Sequence, residues 1–144
     1  MSRTYISPKL RRLVIERAEN CCEYCLIAQT NNFLPFEIDH IIAEKHQGVT
    51  EKYNLCWSCS TCNGYKGSDI ASYDPETEQL TPLYHPRRDT WHDHFELDGA
   101  HIIPKTAIGR VTVSILKLNE TQRVQDRRGL IQLNTYPCDA SANF

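Results

Sequence analysis

Leu55-Cys56-Trp57-Ser58-Cys59-Ser60-Thr61-Cys62-Asn63-Gly64-Tyr65-Lys66-Gly67 carries three signals in one run. Leu55-Cys56-Trp57 reads as a short apolar strand, and residues 59–67 read as a short helix that stops near Gly67. Cys59 and Cys62 enclose two residues, a spacing that lets one tight turn aim both sulfurs at one ion. The same spacing occurs upstream in Cys22-Glu23-Tyr24-Cys25. Two such knuckles supply the four thiolates of a closed tetrahedral zinc site, which leaves no coordination position for chemistry. Cys22 is preferred over Cys21 because it alone gives the two-residue spacer. A disulfide framework and buried free thiols are the competing readings. The chain has seven cysteines, an odd number that cannot all pair internally. Cys56 reads as a small core residue, and Cys138 has no functional reading.

Between the knuckles, Phe36-Glu37-Ile38-Asp39-His40-Ile41-Ile42 is apolar-rich and bounded by Pro35, so it reads as a strand. Residues 43–53 are a polar loop hinging at Gly48. Strand, strand and helix thus form a β-β-α unit whose ends are drawn together by the cysteines. Upstream, Ser7-Pro8 is a capping signal, and Leu10, Leu13, Val14 and Ala18 place an amphipathic helix over residues 8–20. Downstream, residues 68–98 hold eight Asp/Glu against Arg87 and Arg88, with three prolines, which predicts turns and short strands. Asp98-Gly99 predicts a hairpin turn. From Thr106 two helices follow, the second with Asn119 as its expected cap. The predicted division is a unit over 1–70, a covering region over 71–137 and a tail over 138–144.

Composition limits what this chain does. Its 144 residues suit one domain. Lys and Arg number 16 and Asp and Glu 18, a net charge of −2, so bulk charge does not hold it on nucleic acid. Local patches remain: Arg87-Arg88, the basic face of residues 105–128 and the arginines of the first helix. No apolar run approaches a membrane span, and the opening residues lack the apolar core of a secretory leader, so a cytoplasmic location is expected.

Arg17-Ala18, Cys22-x-x-Cys25, Glu37-Ile38-Asp39-His40-Ile41-Ile42, Asn54 and Cys59-x-x-Cys62-Asn63-x-x-Lys66 come in one order over residues 10–67. As a set they resemble the zinc-containing branch of the HNH endonuclease family, in its variant with Asn at the third position. The resemblance implies an α+β fold. Its parts are a ββα-metal (His-Me finger) nuclease unit with a four-cysteine zinc site and a C-terminal helical extension. It implies His40 as general base, Asp39 as a ligand of a catalytic divalent ion, Asn54 as the residue that holds the loop, and Asn63 as the second ligand. A carboxylate with an amide favours Mg2+ or Mn2+. Lys66 lies one helical turn past Asn63 and is expected to contact a flanking phosphate. Glu37, on the same strand face as Asp39, is a lesser candidate for the ion. His92-Asp93-His94 repeats the Asp-His pair but lacks a downstream partner cluster.

Three functions compete. A DNA endonuclease uses Asp39, His40 and Asn63; a zinc-stabilised nucleic-acid-binding module needs none of them; a dithiol oxidoreductase needs only one cysteine pair. Cutting both strands with one site per chain favours a homodimer. Adjacent strand residues point to opposite faces, so Asp39 and His40 share a site only where the strand bends or ends.

Overall fold

The computed structural model describes residues 4–31 and 34–138. Residues 139–144, most of the tail set apart above, and residues 1–3 of the opening segment lie outside the described residues. Helix α1 spans Pro8–Arg17, with the Ser7 hydroxyl accepting from Leu10 N–H and Pro8 in the first turn, where no N–H partner is lost. It ends three residues earlier than the sequence indicates, because Glu19 and Asn20 take left-handed backbone angles and turn the chain into the first knuckle. Val14 and Ala18 face the core, while Leu13 is 41% exposed and sits off the buried stripe.

Strand β1 (Glu37–His40) pairs antiparallel with β2 (Leu55–Ser58), and helix α2 (Ser60–Lys66) follows directly. The β-β-α order agrees with the sequence, but β1 is shorter than the expected 36–42 run. Ile41 N–H bonds the Asn54 carbonyl, and both backbone groups of Ile42 bond the Asn54 side chain, so the ladder stops at His40. Gly48 lies against this junction. A Cβ there would sit 1.6 Å from the Ile42 carbonyl oxygen, so only glycine lets the loop close.

Two further hairpins follow: β3 (Ala71–Tyr73) with β4 (Leu80–Pro82), and β5 (Phe95–Asp98) with β6 (His101–Pro104), which turns at Gly99 (φ +57°) as expected. Between them lies the single turn α3 (Trp91–His94). Helix α4 (Ala107–Ile115) is capped by the Thr106 hydroxyl, and α5 (Thr121–Gln132) ends the ordered elements. Asn119 does not cap α5; Glu120 holds that position. The Asn119 amide instead bonds both the N–H and the carbonyl of Ile102, mimicking a strand partner at the edge of β6. One buried cluster runs from Val14 through Trp91 and Phe95 to Tyr136, so both halves of the chain contribute to the same core.

Cys21 and Cys138 form a disulfide across 117 residues, with Cα atoms 5.9 Å apart. The two cysteines without a role in the sequence thus pair with each other. The closing segment also bonds Cys138 N–H to the Leu26 carbonyl (2.8 Å) and Tyr136 hydroxyl to the Cys25 carbonyl (2.7 Å).

Asp74 fastens α4 to the β3–β4 hairpin. Its two oxygens accept a bidentate pair from Arg110 (2.8 and 2.9 Å) and bonds from Thr77 and Glu76. The Arg110 hydrogen bonds hold the Asp74 carboxyl well below its ordinary value. A depressed carboxylate adds stability above its unfolded value, about 3.9, and loses it as pH falls through the folded one. Asp74→Asn is therefore expected to lower the melting temperature at pH 7, with the gap to wild type closing on acidification below about pH 4. Melting curves across that range check this.

Candidate active site and metal centre

Sequence-local turns aim the four knuckle cysteines. Cys22 carbonyl accepts from Leu26 N–H at 3.0 Å, folding the first knuckle, with Leu26 in the left-handed region (φ +67°). Cys59 caps α2, its sulfur accepting from Cys62 N–H at 3.4 Å. Glu23 ties the knuckles together: its N–H bonds the Trp57 carbonyl and its carboxylate accepts from Trp57 N–H. The sulfurs of Cys22, Cys25, Cys59 and Cys62 all lie within 4.8 Å of one another and are buried. Cys25 and Cys59 sulfurs are 3.7 Å apart. A Zn–S bond of about 2.3 Å implies a tetrahedral edge of about 3.8 Å, so the cage has the size of a metal site such as zinc.

Four touching thiols cannot all ionise unaided. Burial pushes Cys22 and Cys62 up, while hydrogen bonds from Cys22, Cys59 and Cys62 hold Cys25 down. A bound divalent ion resolves this by taking the place of the protons. Arg123, from α5, adds a donor that the sequence did not reveal: its guanidinium lies 3.0 Å from Cys62 Sγ and 3.9 Å from Cys59 Sγ. Burial opposes its charge, but the sulfurs of Cys62, Cys25 and Cys59 outweigh that and raise its value. A divalent ion on four thiolates carries a net charge of about −2, which one buried guanidinium half cancels.

The oxygen-bearing residues gather between β1 and α2. Glu37 and Asp39 share one strand face, and Asn63 and Lys66 are one helical turn apart. The Asn63 amide donates to the Glu37 carboxylate. Lys66 Nζ lies 3.1 Å from Asp39 Oδ2, 3.3 Å from Oδ1 and 3.2 Å from the His40 carbonyl. The Tyr24 hydroxyl donates to Asp39 at 2.8 Å, and Cys56 sits beneath it. Burial raises the Asp39 carboxyl above the usual carboxylate range, against the pull of Lys66 and Tyr24.

These contacts change two expectations. Lys66 does not face solvent to meet a flanking phosphate. It is 1% exposed and neutralises Asp39, because a buried carboxylate without a partner is costly. Asp39 and Asn63 form no contact with each other among the described residues; Asp39 is held by Lys66 and Tyr24, and Asn63 by Glu37. Among the described residues, the cysteine cage is the only group of three or more His, Cys, Asp or Glu side chains close enough to share an ion. A hard cation in the β1–α2 cleft would therefore rest on few protein oxygens.

His40 ends β1 with its ring Nε2 2.9 Å from the Thr50 hydroxyl. Asn54 closes the loop that carries Thr50, donating to the carbonyls of Ile42 (3.0 Å) and Val49 (2.9 Å). His92 and His94 form no metal group; His94 bonds the Thr106 hydroxyl, and His92 packs edge-on against Trp91. Part of the expected basic surface is also spent internally. Arg87 pairs with Glu23, and Arg110 with Asp74. Arg123 and Arg127 donate to the carbonyls of Leu116 and Leu118, groups that a helix end leaves without intrahelical partners. Arg17 of α1 bonds the Leu55 carbonyl. Lys9, Arg11, Arg12, Arg88, Lys105, Lys117 and Arg128 remain exposed.

A family model described as HNH endonuclease matches residues 22–69, about a third of the chain. The Septu protein PtuB of Bacillus thuringiensis is similar, at 28% identity over 130 residues; the match covers 89% of this chain and 48% of that protein. The chain thus spans about half the length of this curated relative. No solved structure matches it significantly. Among the described residues no helix is long and apolar enough to cross a membrane.

Two outcomes follow from the cage. Cys59→Ser is expected to abolish stoichiometric metal and the cooperative melting transition together, because structural zinc supplies ~10–16 kcal/mol of folding energy in finger peptides. Elemental analysis with circular dichroism reads both. Arg123→Ala is expected to weaken metal retention about 10–100-fold in competition with a chromophoric chelator, with Arg123→Lys intermediate.

Proposed function

We propose that this chain is a metal-dependent HNH endonuclease of the ββα-metal kind that hydrolyses DNA phosphodiester bonds. The observation that carries this reading is the fixed His40. Its ring is anchored to Thr50 on a loop that Asn54 closes, at the end of the strand that carries Glu37 and Asp39. In the tautomer whose Nε2–H donates to the Thr50 hydroxyl, Nδ1 keeps the lone pair that removes a proton from water. Asn54 positions that imidazole through the loop. Asp39 and Asn63, with Glu37 beside them, would hold Mg2+ or Mn2+. Such an ion neutralises charge that grows on the scissile phosphate and the leaving oxygen. Lys66 balances the Asp39 charge. Zinc held by Cys22, Cys25, Cys59 and Cys62 would fix the start of α2 and with it Asn63.

The internal use of Lys66 by Asp39 favours one alternative, a zinc-stabilised nucleic-acid-binding module without hydrolysis. Plasmid cleavage separates the two. Supercoiled DNA is expected to be nicked or linearised with Mg2+ or Mn2+, and His40→Ala is expected to lose about 10²–10⁴-fold in rate while keeping its fold and zinc. Undiminished cutting by His40→Ala refutes the assigned base. Binding without cutting under every metal favours the module.

A further inference from the structure

A cavity beside β1 takes no part in the site described above. It encloses about 160 Å³, and its apolar wall includes Ile41, Ile42, Ile70 and Ile108. Ile41 follows His40 in the chain. Lys66, whose ammonium binds Asp39 and the His40 carbonyl, also lines the cavity. One lysine side chain thus connects the cavity with the candidate catalytic cleft.

Size and lining select the occupant. A cavity of about 150 Å³ holds a single aromatic ring such as benzene, whereas drug-sized ligands need roughly 300 Å³ or more. Room for one ring between mostly apolar walls suits a flat heterocycle and not a hydrated phosphate. Its polar groups are few and directed. His85 Nδ1 accepts from the backbone N–H groups of Arg87 and Arg88, both at 3.2 Å, so the neutral ring carries its proton on Nε2. Burial lowers His85 below its ordinary value, which keeps that ring neutral. Nε2 has no hydrogen-bond partner among the described residues. Asp89, on the same lining, uses Oδ2 for His85 N–H, and its Oδ1 stands 4.0 Å from His94 Nε2. Arg88 is exposed, lines the cavity, and forms no ion pair among the described residues.

We propose that this cavity receives one unstacked base of the nucleic-acid strand, adjacent to the bond that is cut. His85 and Asp89 offer a donor and an acceptor to the base edge, and Arg88 meets the phosphate of the same nucleotide. The proposal rests on the nuclease reading and sharpens it: a chain of net charge −2 grips its substrate through a pocket in place of a broad basic surface.

Cleavage of a duplex oligonucleotide carrying one mapped cut site tests it, against the same duplex with an abasic residue beside the cut. Wild type is expected to lose about ten-fold or more in kcat/KM on the abasic duplex. Ile70→Trp, which fills the cavity, and Arg88→Ala, an exposed truncation that leaves the core intact, are expected to be slow on the intact duplex. Ile70→Trp is expected to be nearly indifferent to the missing base, whereas Arg88→Ala, which loses a phosphate contact, is expected to be slowed on both duplexes alike. Equal cutting of both duplexes by wild type, unchanged sensitivity in Ile70→Trp, or an undiminished rate in Arg88→Ala overturns the proposal and leaves the nuclease reading standing. Absence of all cutting with Mg2+ and Mn2+ overturns the nuclease reading instead. In that case 2-aminopurine emission from a bound oligonucleotide decides the pocket. A rise with wild type that Ile70→Trp abolishes supports it, and unchanged emission refutes it.

Discussion

Four sulfurs that must meet within one small volume govern this molecule. Cys22 and Cys25 leave from the end of α1, whereas Cys59 and Cys62 open α2, and the strands and loop that carry His40 and Asn54 lie between. Once the sulfurs are gathered, the ends of that insert are fixed. The β1–β2 register, the Asn54 closure and the angle of α2 are then left with little freedom. The cluster also recruits the second half of the chain. Arg123 reaches it from α5, Tyr136 and Cys138 bond its neighbours, and Glu23 between the first pair of sulfurs takes Arg87. The second half of the chain is therefore tied to the β-β-α unit by charge as well as by apolar packing.

Pleat alternation divides the work of two adjacent residues. Asp39 lies opposite Cys56 and faces α2, where Lys66 and Tyr24 hold it. His40 is the last residue of its strand, so its ring is free to engage the following loop through Thr50. The ladder ends there because the Asn54 side chain takes both backbone groups of Ile42. A carboxylate held by a lysine and an imidazole held by a hydroxyl are both restrained before any substrate arrives, a form of preorganisation.

Local features were legible in the sequence, and long-range ones were not. The knuckles, the β-β-α order and the Asp98-Gly99 turn follow from spacing and turn chemistry, which act over a few residues. The Lys66 partner of Asp39 and the contacts of Arg87 with Glu23, Arg110 with Asp74, Arg123 with Cys62 and Arg127 with Ala100 join residues 27 to 64 apart, where no periodic signal exists. A run of arginines on a helix reads as a wet surface, yet Arg123 and Arg127 are buried because each has several carbonyl or sulfur acceptors within reach. Asn119 misled for a related reason: an amide can complete a strand edge as readily as a helix start. Cys21 and Cys138 offered no spacing signal at all, being 117 residues apart.

The return of residues 123–138 to the first knuckle has a bearing on biosynthesis. Arg123, Tyr136 and Cys138 contact groups laid down within the first 62 residues. A nascent polypeptide halted on the ribosome near residue 100 carries every side chain of the candidate hydrolytic machinery, yet lacks the guanidinium and the closing arm that brace it. The amino-terminal unit completes its set of supports only when translation has passed residue 138.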